Sequence, residues 1–274
     1  MTIDVEDYFQ VSAFESYIPR SLWDSMPCRI ESNMDRILDL LDQKRIKATF
    51  FTLGWIAERY PQMINRMVDN GHELASHGWG HRRVTELNPT EFREDIHRSK
   101  SLLEDISGQA IIGYRAPSFS INSQNLWALD SLAEAGYRYS SSIYPVQHDH
   151  YGMPDSPRFA YYPRGENGIL EIPVTTVRLW GRNFPAAGGG FFRFWPYILS
   201  KWFINRINLS ESQAVIFYFH PWEIDAHQPR QSGISLKTRF RHYLNLHRME
   251  ERLNALTSDF KWDRVDSVFL SKQV

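Results

Sequence analysis

Short apolar segments rich in β-formers alternate with helix-patterned ones through the first half of the chain, and this rhythm restricts the fold more than any other feature. Met1–Val5, Lys47–Leu53 (KATFFTL), Glu73–His77, Ala110–Tyr114 and Tyr137–Ser141 read as strands. Between them, Glu31–Gln43 carries Met34, Ile37, Leu38 and Leu41 at helical spacing, and Ile56–Asn70 reads as a helix stopped by Gly71. A helix capped by Asn88 or Thr90 runs to about Ile106, and another spans Asn122–Ala135 before Gly136. Strands alternating with helices predict parallel pairing through crossover helices, so the class is α/β. A chain of 274 residues suits a single (β/α) barrel.

From Pro145 to Pro196 the rhythm breaks into Pro, Gly and aromatic residues. An insertion over 145–195 is expected, with Phe159–Tyr162 and Ile169–Val174 as an antiparallel hairpin and Gly188-Gly189-Gly190 as a turn. Trp195–Ile207 reads as a helix and Ala214–Phe219 as a buried strand, so residues 1–144 and 196–224 would make the barrel. The remainder, 225–274, reads as a helix-rich extension led by a basic amphipathic helix over Leu236–Leu256, with a short strand or two after it.

Hydrophobic residues at 42% and charged residues at 23% describe an ordinary globular chain, and a net charge of -1 gives no bulk attraction to nucleic acid. The single cysteine, Cys28, excludes an intrachain disulfide. No apolar run approaches the ~20 residues that span a bilayer. The opening MTIDVEDYF lacks the basic start and apolar stretch of a signal peptide, so a cytoplasmic location is expected.

The polar residues of interest fall at the C-terminal ends of the strands, the rim where parallel barrels assemble their sites. Asp4, Glu6 and Asp7 follow the first strand. Three carboxylates so close repel one another unless a cation lies nearby. His77-Gly78-Trp79-Gly80-His81 follows the third; two imidazoles four residues apart reach one metal ion if the glycines let the chain curl tightly. Arg115, at a strand end before Pro117, is placed to pair with a carboxylate. His220 ends the strand Val215–Phe219 beside Trp222.

In that order the segments TIDVED, KATFF, GHELASHGWGH, RAPS and FHPW resemble the polysaccharide deacetylases of carbohydrate esterase family 4, the NodB-like group, over roughly residues 1–225. DVEDYFQ, GGGFFRFWPY, HPWE and RFRHYLNL are similar to the deacetylases of bacterial exopolysaccharide and exosortase loci. The resemblance implies that the (β/α) barrel is distorted, and it implies metal-dependent hydrolysis of the N-acetyl amide of an amino sugar in an oligo- or polysaccharide, with acetate released. It implies a divalent metal, best matched by Zn2+, on His77, His81 and an acid. It also implies Asp4 as general base, Arg115 as its partner, the Ser118 N–H as oxyanion donor and His220 as general acid. Where the family has Asp-Asp, this chain has Asp4-Val5; Glu6 shares the strand face of Asp4 and is the expected third ligand, with Asp7 as alternative. Ser140 stands where the family often carries an Asp that orients the acid histidine. A membrane-peripheral encounter with a lipid-linked substrate is compatible with this reading. An amidase for small non-sugar amides and a non-catalytic sugar-binding barrel are the alternatives.

Overall fold

The computed structural model describes residues 1–147 and 152–270, so four residues of the expected insertion, 148–151, lie outside the described residues. Nine strands occur among them: β1 (Thr2–Val5), β2 (Thr49–Thr52), β3 (Glu73–Ser76), β4 (Gly113–Tyr114), β5 (Tyr139–Ser140), β6 (Leu170–Glu171), β7 (Thr176–Leu179), β8 (Arg182–Pro185) and β9 (Tyr218–Phe219). Seven form one parallel sheet in the order β6-β5-β4-β3-β2-β1-β9, and β7 and β8 form a separate antiparallel hairpin. The sheet curls as a partly open barrel with β6 and β9 at its edges.

The register explains the two faces of the sheet. Asp4 is level with Phe51, and Phe51 with Ala75, so these side chains point to one side. Phe51 and Ala75 join Tyr139, Leu170, Ile172 and Ile216 in an inner cluster. The alternate residues Ile3, Val5, Phe50 and Leu74 face outward into the larger core. The helices α1 (Ile30–Gln43), α2 (Gly54–Arg59), α3 (Pro61–Asp69), α4 (Pro89–Ser107) and α5 (Trp127–Glu134) follow in chain order. Met34 and Ile37 of α1, Met63 and Met67 of α3, Phe92 and Ile96 of α4 and Leu129 of α5 complete that outer core. The start of α4 is fixed by Asn88, whose side chain accepts the Thr90 and Glu91 N–H groups while Glu91 returns a bond to the Asn88 N–H. Gly108, left-handed at φ +66°, ends it.

Several expectations are corrected. The helix expected over Ile56–Asn70 is two, because Pro61 removes an N–H donor and Tyr60 leaves helical geometry. Ile169–Val174 does not form a hairpin arm: β6 extends the barrel sheet parallel to β5, and only an isolated antiparallel bridge joins Tyr161 to Glu171. The hairpin lies just beyond, where Trp180 and Gly181 both take positive φ between β7 and β8, the geometry that matches strand twist in a two-residue turn. The triple glycine leads into α6 (Gly189–Phe194), and α7 (Tyr197–Asn205) starts after Pro196. The expected long helix over Leu236–Leu256 is α8 (Leu236–Tyr243) and α9 (Met249–Asp259), broken where Asn245 turns left-handed. Instead of terminal strands, α10 (Val265–Phe269) seals the end of the barrel opposite the rim. Its Val265 N–H bonds the Thr49 hydroxyl at 2.8 Å and its Asp266 N–H the Glu73 carboxylate at 3.1 Å. No helix among the described residues is long and apolar enough to cross a membrane.

Candidate metal centre and active site

β1 ends at Val5, and the chain doubles back at once, with the Glu6 N–H bonding the Asp4 carbonyl at 2.9 Å. This tight turn sends neighbouring carboxylates to different places. Glu6 goes to the histidine pair, 3.1 Å from His77 Nε2 and 3.2 Å from His81 Nε2. Asp7 goes the other way, accepting the Arg29, Ile30 and Tyr8 N–H groups at 2.6, 3.0 and 2.8 Å. It therefore caps the start of α1 and is not gathered with the histidines; of the two candidate third ligands, the fold brings Glu6 to them. Burial pushes the Asp7 pKa up to about 6 against the pull of those N–H groups. Burial would raise Glu6 too, but the charges of His81 and His220 and hydrogen bonds from His77 and His81 hold it well below the usual carboxylate range.

The loop between the two histidines is stapled on both sides. The Gly78 and Trp79 carbonyls accept the Gly54 and Trp55 N–H groups at the start of α2, and Asp95 of α4 accepts the Trp79 N–H at 3.0 Å. Gly78 sits at φ +73°, and a Cβ there would lie 2.8 Å from Asp95 Oδ1, so glycine is required. Arg20 clamps the far end through the Gly80 and His81 carbonyls at 2.7 and 2.9 Å. His77 Nδ1 is 2.8 Å from the Arg115 carbonyl, which fixes the ring with its Nε2 turned to Glu6.

One ligand atom each from Glu6, His77 and His81 lies within 4.8 Å of the other two, and all three residues are buried. Two imidazoles and one carboxylate, with one imidazole oriented by a carbonyl, fit a divalent ion of the zinc type.

Asp4 lies behind this cluster, with Oδ1 2.5 Å from Arg115 Nη1. Arg115 is fully buried, bonds the Thr2 hydroxyl at 2.9 Å and the Ser141 carbonyl and hydroxyl at 3.2 and 3.0 Å, and lies 4.0 Å over the Phe51 ring. Ser118 follows in a turn with Ser118 and Phe119 both left-handed, and its hydroxyl is 2.5 Å from that of Ser12.

His220 completes the rim from β9, its Nε2 3.8 Å from Glu6 Oε1. Burial would lower its pKa, yet Glu6 and Glu223 together push it up to about 9. Glu223 Oε1 meets His220 Nδ1 at 2.8 Å, and Glu223 Oε2 accepts from Arg193 Nε at 2.7 Å. Burial would raise the Glu223 pKa, but Arg193 and His220 hold it down at about 2. The Ser140 hydroxyl is bound to Ser142 at 2.8 Å. Glu223 and Arg193 were not among the residues expected from sequence. The available signal was an acid three residues after the histidine in HPWE, a spacing that brings side chains together in one helical turn. A cavity of about 860 Å³ bounded by Met1, Ile216, Val265 and Phe269 is lined by none of these site residues.

A parallel barrel thus carries on one rim a His-His-Glu cluster that could hold a metal ion, a buried Asp-Arg pair and a carboxylate-bound histidine. Residues 21–140 match the polysaccharide deacetylase family and residues 141–270 match a domain of unknown function, DUF3473. Over that deacetylase match, which is less than half of its length, the chain is similar to the polysaccharide deacetylases. It is similar to a peptidoglycan-N-acetylglucosamine deacetylase of Bacillus cereus, 34% identical over 96 residues that make up 35% of each protein. It is also similar to a chitooligosaccharide deacetylase of a Bradyrhizobium species, 30% identical over 35% of this chain and 44% of that one. The matches thus span about a third to under half of the length of these curated relatives. A solved structure from Mycobacterium smegmatis, described as an inferred polysaccharide deacetylase, shares the fold at a TM-score of 0.64 and 19% identity, covering 98% of this chain and 87% of that one. The deacetylase match contains His77, His81, Arg115 and Ser118, whereas His220, Glu223 and Arg193 lie in the segment of undescribed function.

Proposed function

We propose that the protein hydrolyses the N-acetyl amide of an amino sugar in a bacterial N-acetylated oligo- or polysaccharide, of the exopolysaccharide kind, and releases acetate. The observation that carries this reading is the buried Glu6–His77–His81 cluster with Asp4–Arg115 on one side and His220 on the other. Glu6, His77 and His81 would hold a divalent ion, best matched by zinc, which when bound supplies charge to polarise the acetyl carbonyl and to acidify a water. Asp4, paired with the Arg115 guanidinium, would accept a proton from the attacking water. The Ser118 N–H offers a donor to the oxygen on which negative charge develops. His220 gives the proton that lets the sugar amine depart, since an unprotonated amide nitrogen is a poor leaving group. The names of the Bacillus cereus and Bradyrhizobium relatives support N-acetylglucosamine polymers as substrate.

Acetate release from N-acetylglucosamine oligomers, assayed before and after chelation and after adding back Zn2+, tests this. Release that stops on chelation and returns with Zn2+ is expected. Release unaffected by chelation removes the metal from the reading, and activity on small aliphatic acetamides alone removes the sugar.

We also place the encounter with substrate at a membrane surface. Between Ile172 and Ser210 there is no Asp or Glu, against Arg178, Arg182, Lys201 and Arg206, with Arg193 buried against Glu223. The same stretch exposes Trp180, Ile198 and Leu209 at 90, 77 and 78%. Apolar side chains among cations suit an anionic bilayer face. Co-sedimentation with phosphatidylglycerol vesicles is expected, reduced in Trp180→Ser/Ile198→Ser and absent with phosphatidylcholine alone. No sedimentation with either vesicle overturns it.

A further inference from the structure

The triple glycine, the FFRF run and the acid of HPWE are so far without a task, and all three meet at one point behind His220. The Glu223 side chain is 1% exposed and that of Arg193 2%, and the two are joined at 2.7 Å. Glu223 Oε1 faces both His220 Nδ1 at 2.8 Å and the His220 N–H at 3.1 Å. A carboxylate on Nδ1 makes that nitrogen the donor and aims Nε2 the other way, and here Nε2 is the ring nitrogen on the Glu6 side. Trp222 stacks against the ring at 5.4 Å and 24°, which limits its rotation. The His220 ring is thus held by one charged bond and one aromatic face.

The carboxylate is in turn held. Arg193 Nη1 donates to the His242 and Leu244 carbonyls at 3.0 and 2.6 Å, and Nη2 to the Arg241 carbonyl at 3.3 Å. These carbonyls lie at and just beyond the C-terminal end of α8, where unpaired carbonyls favour a cation. The guanidinium therefore satisfies a helix end with one edge and Glu223 with the other. The glycines give the carboxylate its room: a Cβ on Gly189 would fall 2.0 Å from Glu223 Oε1, and one on Gly188 2.6 Å from the Tyr218 ring.

We propose that Glu223, fixed by Arg193 and by the space at Gly189, is the positioning residue that aims His220 Nε2–H at the departing amine. This rests on the reading of His220 as the general acid. In the step itself the C–N bond breaks, its electron pair stays on nitrogen, and the proton moves from His220 Nε2 to that nitrogen. Glu223 stays ionised throughout and transfers nothing.

The test separates leaving groups, using the zinc-loaded protein. The amide of a chitooligosaccharide needs its nitrogen protonated, whereas 4-nitrophenyl acetate releases a stable anion without help. In Glu223→Gln, the ratio of amide to ester kcat is expected to fall about 10–100-fold, the range found when the group orienting a functional imidazole is lost. KM should stay within about twofold, and Glu223→Asp should recover part of the ratio. His220→Ala should lower the same ratio, and adding Glu223→Gln to it should lower it no further. In the metal-free protein, a downfield Nδ1–H proton resonance that His220→Gln removes should also be lost in Glu223→Gln. If the single variant does not fold because Arg193 loses its partner, Arg193→Gln/Glu223→Gln removes both buried charges and carries the same comparison. An unchanged ratio, or equal losses on amide and ester, overturns the positioning role. A wild-type protein that cleaves the ester but no amide overturns instead the general-acid reading beneath it.

Discussion

Glu6→Ala is expected to lose metal binding and acetate release together, and Asp7→Ala to keep the metal and lose stability. The two acids are adjacent in sequence, yet one faces His77 and His81 and the other the first N–H groups of α1. Loss of a metal that supplies several kcal/mol of charge stabilisation corresponds to at least a ~1,000-fold drop in turnover. His77→Ala and His81→Ala should match Glu6→Ala. In Asp7→Ala three N–H groups lose their acceptor, which costs about 1–3 kcal/mol. Metal content by mass spectrometry of the native protein, acetate release and a thermal midpoint separate the two outcomes. Metal retained in Glu6→Ala, or lost in a folded Asp7→Ala, would reverse the assignment of the ligand.

Arg115→Ala should cost the fold about 3–5 kcal/mol, the penalty for stranding a buried charge. Asp4 would remain buried without its partner, and the Thr2 hydroxyl, the Ser141 hydroxyl and the Ser141 carbonyl would each lose a donor. Lysine should not rescue it, because one ammonium cannot reproduce a planar fork that reaches Asp4, Thr2 and Ser141 together. Replacing both charges, as in Asp4→Leu/Arg115→Met, should be milder than Arg115→Met alone even though it removes the general base. Urea unfolding measures all four variants against the wild type. A curve for Arg115→Ala within about 1 kcal/mol of the wild type would show that the pair does not hold the barrel together.

How far the sequence could be read depends on whether the deciding interaction was local. The His77–His81 loop was legible because its glycines, spacing and strand-end position all lie within five residues. The face shared by Asp4 and Glu6 was legible from strand alternation, although the strand stops at Val5 and it is the turn after it that delivers Glu6. Pro61 was visible in the sequence and still hidden within a helical apolar pattern. The true hairpin was missed because the alternation of Val177, Leu179 and Phe184 sits in an aromatic-rich stretch where composition drew attention away from period.

What the chain determines by itself is therefore the alternation of strands and helices, the rim on which the polar residues gather and the histidine pair. These follow from hydrophobic period and from glycine's access to left-handed backbone, both properties of neighbouring residues. Only the tertiary structure decides that Glu6 rather than Asp7 joins the histidines, that Asp4 is buried against Arg115, and that Arg193 and Glu223 stand behind His220. The reason is physical: a buried charge is tolerated only where a partner reaches it, and these partners come from 22, 30, 71 and 111 residues away.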